Sequence, residues 1–250
     1  MSPVVIVLFV VVGASLGLLG GGGSILTVPI LVYVAGLEPR DAVATSLLVV
    51  GVTSLVAMIG HRRRGAVDVR AGLAFGVTSM VGSFVGGRVS HLLPGGVLLG
   101  TLAVVMFVAA LAMMRPRTVD DDGSRQPAGF ARTIPVGIAT GALTGLVGAG
   151  GGFIVVPALL LLSRMPLRTA IGTSLLVIAM NSIAGLAGAM GTATIQWPLA
   201  LTLTFVSVVA SLGGAALAAR LDASLLRKTF AWLVLGMALF TATKQLAPMF

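Results

Sequence analysis

The sequence predicts an all-α polytopic membrane protein made of two homologous repeats of inverted topology, each opening with a glycine-broken or re-entrant helix pair. Three observations carry that prediction. Hydrophobic residues fill 57% of the 250 positions and charged ones only 9%, with a mean hydropathy of +1.11. A soluble domain carries roughly 25% charged residues, so this chain could not cover a soluble surface. Apolar runs of about twenty residues alternate with short polar clusters, the pattern of helices that cross a bilayer. Finally, the chain aligns on itself without a gap when shifted by 128 positions.

The first apolar segment covers residues 3–19. Its start has the apolar core of a signal peptide but no basic n-region, and it matches the start of the second copy, so it reads as part of the fold. The segment runs into GLLGGGGSILTVP at 17–29. Glycine gains least from being ordered in a helix, so four in a row break one. Further apolar segments follow at 25–37, 42–60, 71–92 and 96–114. Residues 115–132, RPRTVDDDGSRQPAGFAR, are rich in charge, proline and glycine and form a soluble cytoplasmic linker. The second copy then repeats the order at 133–147, 153–163, 170–188, 198–219 and 224–243, with its break written GLVGAGGGFIVVP at 145–157. The units are therefore 1–114, 115–132 and 133–250. Between Gly17 and Gly60 the copies share 17 of 44 residues, including Pro29/Pro157, Arg40/Arg168 and the run from Thr45 to Val49 against Thr173 to Val177.

Loop charges set the orientation. If each broken pair enters and leaves on one side, the copies are inverted and 13 of the 16 Lys and Arg fall on the cytoplasmic side, leaving Arg40, Arg88 and Lys244 outside. If the pair crosses once, the copies are parallel and the split is 9 to 7. The positive-inside rule prefers inversion. A net charge of +9 is read as topogenic, because the arginines are spread over segment ends, and no nucleic-acid partner is expected.

Inverted repeats place substrate at the midplane, between discontinuous helices of the two halves. At a break, the N–H groups of the next helix lose their intrahelical partners, and their dipoles favour an anion. Gly22, Gly23 and Ser24 in one copy, with Gly150, Gly151 and Gly152 in the other, are thus expected to form paired cradles. The following segment carries Thr45, Ser46, Thr53 and Ser54, matched by Thr173, Ser174, Asn181 and Ser182. They lie on one helical stripe, which in lipid should face protein or water. Thr45, Ser46, Thr173, Ser174 and Asn181 join the cradles as candidate substrate ligands. Arg40 and Arg168, just before the stripes, are candidates for drawing anions to the two mouths, against the simpler role of snorkelling to headgroups. Gly72-x-x-x-Gly76 and Gly82-x-x-x-Gly86 read as packing glycines, and Trp197 as an interfacial anchor.

Absences narrow the chemistry. With no cysteine there is no disulfide or thiolate site, and nothing calls for a metal or cofactor. The seven acidic residues fall in loops or at segment ends, which leaves no buried proton relay. His61 and His91 lie at polar borders opposite Ala189 and Ala219 of the other copy, where a histidine is expected to be topological only. A hydrolase would need a nucleophile and base at one depth, which argues against an enzyme.

With Gly22-Gly23 through Pro29 and Ala42 to Leu47, and again Gly150 to Pro157 and Ala170 to Leu175, the chain resembles the TauE/SafE family of sulfite exporters over essentially its whole length. That resemblance implies a multi-pass carrier of the bacterial plasma membrane for sulfite, organosulfonates or related small anions. The first copy departs from it at Ser24, where the second has glycine. The expected function is export of a small sulfur-containing anion by alternating access, with an anion channel or an uptake permease as the alternative. The expected partners are the anion and the lipid bilayer, and a homodimer is left open.

Overall fold

Helices form along the apolar runs. α1 (Pro3–Leu19), α2 (Ser24–Tyr33), α3 (Pro39–Arg62), α4 (Val69–Ser90) and α5 (Gly95–Met114) make the first half. α6 (Phe130–Val147), α7 (Gly152–Ser163), α8 (Leu167–Ala189) and α9 (Trp197–Ala218) follow. This computed structural model describes residues 3–114, 130–148, 152–163, 165–191 and 193–218, with 228, 232, 235, 236, 238–241 and 243 near the end. Most of the expected segment 224–243, most of the linker, and Gly150 and Gly151 lie outside the described residues. α6 begins at Phe130, so the last three residues assigned to the linker are helical.

Local chemistry sets the helix ends. α3 opens with Pro39, whose missing N–H costs nothing at a first helical position. Asp68 caps α4, its carboxylate accepting from the Ala71 N–H at 2.9 Å. α1 stops at Leu19 because Gly20 takes φ +70°, a left-handed backbone that a Cβ makes costly. One tight turn, Gly21–Gly23, then leads directly into α2. Gly148 repeats this after α6 with φ +71°.

α3, α4, α8 and α9 are each long and apolar enough to cross a bilayer. Burial separates them into layers. In their most apolar stretches α3 and α8 are 72% buried, against 39% for α4 and α9, so α3 and α8 form the interior. α4 turns Val77, Val81 and Phe84 outward, and α9 turns Leu201, Phe205 and Val209 outward. Exposed apolar faces of this kind suit a lipid surround.

In lipid, apolar surface does not drive helices together; close backbone approach does. α1 packs on α9, α4 on α6 and α8, and α3 on α8 and α9. A methyl at Gly13 would lie 2.3 Å from the Ser207 carbonyl oxygen, and one at Gly17 would lie 2.0 Å from that of Ser211. The same contacts recur 128 residues away: Gly141 against Ser79 at 1.8 Å and Gly145 against Ser83 at 2.0 Å. Gly82 and Gly86 press on Ile138 and Ala142 of α6, as expected of packing glycines, whereas Gly72 and Gly76 meet the Leu176 and Met180 side chains.

These contacts also fix helix directions. Gly13 and Gly17 meet Ser207 and Ser211 in ascending order, so α1 and α9 run parallel. α4 runs parallel to α6, through Ser79–Gly141 and Ser83–Gly145, and to α8, through Gly76–Met180 and Arg88–Gly188. α3 and α8 run antiparallel, with Gly51 opposite Ser182 and Leu47 opposite Gly185.

Candidate functional site

The breaks after α1 and α6 meet inside the molecule. A Cβ on Gly21 would fall 1.8 Å from Gly152 Cα, and one on Gly152 would fall 1.9 Å from Gly21 Cα. Backbone therefore touches backbone with no side chain between. Gly152 is the first residue of α7 and Gly21 lies three before the first of α2. Two half-helix N-termini thus converge at a buried point. Their first N–H groups have no intrahelical partner and carry the positive ends of both dipoles, a setting that favours negative charge.

The expected cradle residues divide by direction. Gly22 is buried in the turn. A methyl at Gly23 would meet the Val12 carbonyl oxygen at 2.2 Å and the Leu16 nitrogen at 2.6 Å, so Gly23 seats the turn against α1. Ser24 gives its hydroxyl to the Gly21 carbonyl at 2.6 Å and closes the turn. Gly21 is the glycine that faces the second break. Sequence comparison passed over it because its counterpart is Ala149.

The polar stripes are buried throughout: Thr45, Ser46, Thr53, Ser54, Thr173, Ser174 and Asn181 are fully covered and Ser182 nearly so. Some of their groups fasten backbone. Ser46 Oγ donates to the Gly148 carbonyl at 2.5 Å, tying α3 to the second break. Thr173 Oγ1 accepts the Asp68 N–H at 2.9 Å. Ser174 Oγ turns to the Ile171 carbonyl at 2.7 Å on its own helix, beside Gly20, where a Cβ would lie 2.8 Å from that oxygen. Others find no partner: the hydroxyls of Thr45, Thr53, Ser54 and Ser182, and Asn181 Nδ2.

Arg40 and Arg168 are exposed at the starts of α3 and α8. Arg40 Nη2 donates to the Leu93 carbonyl at 3.3 Å. His61 corrects the expectation that it is topological only. It lies in the last turn of α3, only 6% exposed, and its Nε2–H donates to the Gly17 carbonyl at 2.9 Å. Gly17 belongs to the last turn of α1, whose carbonyls have lost their helical donors because the chain breaks at Gly20. Arg64 Nη1 donates to the Ala215 carbonyl in the last turn of α9. No periodicity could have revealed these long-range caps, although a histidine present in one copy and replaced by alanine in the other was a trace of one.

Long apolar helices around a buried antiparallel pair, with half-helices converging between them, define a multi-pass membrane protein. The sulfite exporter TauE/SafE family matches residues 5–241, and the chain belongs to that family. A probable membrane transporter protein of Xylella fastidiosa is 34% identical over 242 residues, covering 94% of this chain and 93% of that one. The probable membrane transporter protein YunE of Bacillus subtilis is 32% identical over 229 residues, covering 81% and 84% of the two chains. A probable membrane transporter protein of Methanocaldococcus jannaschii is 30% identical over 190 residues, covering 74% and 70%. No solved structure matches the chain. Its relatives are thus named as transporters, and none of these three as an enzyme.

Proposed function

We propose that the protein is a secondary carrier of a bacterial-type plasma membrane that exports a small sulfur-containing anion, such as sulfite or a sulfonate, by alternating access between two inverted repeats. The observation that carries this reading is the meeting of the α2 and α7 N-termini at Gly21 and Gly152. Two positive helix ends, buried together between halves, favour an anion and disfavour a cation. The family's description as sulfite exporters supports the choice of anion.

Inversion is supported from two sides. α3 and α8, equivalent in the two copies, run antiparallel. α9 runs parallel to α3, with Thr194 beside Asp41 at their starts and Ala215 beside Gly60 at their ends. So α1, parallel to α9, runs with α3 and against α6, which is parallel to α4 and α8. With α1 and α3 running the same way, α2 must return, so the broken pair re-enters on the side it came from. That is the arrangement that puts 13 basic residues on one side and 3 on the other. An inside-negative potential then drives an anion outward by about 2.3 kcal/mol per charge per 100 mV.

Purified protein in proteoliposomes tests this directly. Saturable flux of radiolabelled sulfite or sulfoacetate, accelerated by a potential negative on the side of origin, is expected. Flux that never saturates would indicate a pore, and no flux of any sulfur oxyanion would overturn the assignment.

A further inference from the structure

Buried polar atoms without hydrogen-bond partners gather at one level of the interior. Thr53 and Ser54 on α3, and Asn181 and Ser182 on α8, are 0–1% exposed. Thr53 Oγ1, Ser54 Oγ, Asn181 Nδ2 and Ser182 Oγ all lack a partner. The first pair lies 128 positions before the second, so two antiparallel helices bring the same adjacent positions to their crossing. A Cβ on Gly51 would stand 2.9 Å from Ser182 Cβ and 3.7 Å from its Oγ, and Ser54 follows Gly51 by three residues, on nearly the same face. Leaving one buried polar group unpaired is costly. Other buried serines escape that cost, since Ser46 on α3, Ser174 on α8, and Ser79 and Ser83 on α4 all donate to neighbouring oxygens.

Asn181 decides the sign of what belongs here. Ser79 Oγ has one hydrogen and two acceptors in reach, Asn181 Oδ1 at 2.6 Å and the Gly76 carbonyl at 3.1 Å, and gives it to the nearer Oδ1. Ser83 Oγ donates to the Asn181 backbone carbonyl at 2.7 Å. Both acceptors are thereby occupied and the amide is oriented, which leaves an NH2 that can only donate. The three hydroxyls at the same level can each turn a hydrogen to an acceptor. A cation could take lone pairs from the hydroxyls, but the NH2 offers it none and no negative charge stands behind them. Among the described residues the only carboxylates are Glu38, Asp41 and Asp68, and all three stand at helix starts.

We propose that Thr53, Ser54, Asn181 and Ser182 form the binding site for the oxyanion head of the substrate, a sulfite or sulfonate group with three oxygens shared between donors of α3 and α8. This rests on the reading of the protein as an anion carrier, and it moves the ligand contacts from the glycine turns to the α3–α8 crossing. The helix N-termini then contribute field and the four side chains contribute hydrogen bonds. Neutral donors suit a carrier, because binding has to be weak enough for release. The contact of Gly51 with Ser182 closes the crossing, so the anion enters only when α3 and α8 part.

The test is the ligand-induced shift in melting temperature of the full-length protein in detergent, titrated with sodium sulfite and sodium methanesulfonate. Sodium chloride and choline chloride serve as separate arms. A ligand that binds only the folded state raises the melting temperature according to its concentration over Kd. Asn181→Asp keeps the shape and the acceptor for Ser79 but replaces the donor with a negative oxygen; it is expected to abolish both anion shifts. Ser182→Ala removes one donor with little change in volume, and is expected to weaken the apparent affinity up to about tenfold. Variants that melt like the wild type without ligand and lose the shift support the site. Full wild-type shifts in both variants overturn it, as does a sodium-dependent shift that the variants remove. A wild type that answers to no anion overturns the carrier reading itself, and the site falls with it.

Discussion

Gly21→Ala probes the meeting of the two breaks most directly. The new methyl carbon would lie 1.8 Å from Gly152 Cα, 2.1 Å from its carbonyl carbon and 2.6 Å from its oxygen. All three are backbone atoms, so no rotamer change relieves the clash. The breaks would have to part by about 1.6 Å to reach ordinary contact at 3.4 Å. Overpacking of this kind costs about 1–3 kcal/mol. Gly21 has no positive φ, so the conformation itself suits alanine and the cost is purely steric. Gly213→Ala in α9 is the matched control, because nothing lies within 4 Å of its Cβ direction. Alanine there should gain up to about 1 kcal/mol of helix propensity. The two variants should therefore differ by roughly 1–4 kcal/mol. At about 2–4 °C per kcal/mol for a chain of this length, the gap in melting temperature is about 2–16 °C. Thermal unfolding in detergent, followed by fluorescence of Trp197 and Trp232, measures it. Gly21→Ala melting with or above Gly213→Ala would refute the contact.

Two further outcomes are expected. His61→Ala strips the cap from the Gly17 carbonyl and should cost about 1–3 kcal/mol of thermal stability, with His61→Gln recovering part of it; a change within experimental error in His61→Ala would show that the carbonyl is satisfied elsewhere. Because the chain has no cysteine, Ser124→Cys in the linker and Met190→Cys after α8 can each be labelled alone in intact cells. An impermeant maleimide should reach only Met190→Cys, and reaction at both from the same side contradicts inversion.

The all-helical membrane class was legible in the sequence because it depends on coarse quantities: apolar run length and the glycine runs that end helices. α3, expected at 42–60, spans Pro39–Arg62, and α8, expected at 170–188, spans Leu167–Ala189. The short terminal extensions hold the polar N-terminal turns that a hydropathy reading trims. The stripe from Thr45 to Ser54 was legible as one buried face because helical period alone places it. What each hydroxyl does there was not legible. Ser46 reaches across 102 positions to Gly148, and Asn181 is oriented by Ser79 across another 102. Such partners follow from how helices are stacked, and no local pattern encodes the stacking. Gly21 and Gly23 make the same point at closer range. They are two residues apart in a run of four identical glycines, yet one faces the opposite break and the other faces α1.

The two halves of the chain match in some contacts and differ in others. The backbone contacts come in matched sets, since Gly13–Ser207 and Gly17–Ser211 are repeated by Gly141–Ser79 and Gly145–Ser83, and they depend only on small residues kept in both copies. The hydrogen bonds that close the molecule are not matched. Near the end that carries Arg62 and Arg63, His61 holds Gly17, Arg64 holds Ala215 and Thr173 holds the Asp68 N–H. Toward the other end, Ser46 holds Gly148 and the Asp41 carboxylate accepts from the Thr194 N–H at 2.8 Å. The counterpart of His61 is Ala189, that of Asp41 is Thr169 and that of Arg64 is Thr192, so those three bonds have no twin. Ser46 and Thr173 are matched by Ser174 and Thr45, but Ser174 turns to the Ile171 carbonyl and Thr45 Oγ1 finds no partner. Two halves that share a backbone plan are therefore closed by different chemistry at their two ends. If the protein opens each end in turn, as proposed, that difference would make the two openings unequal in free energy.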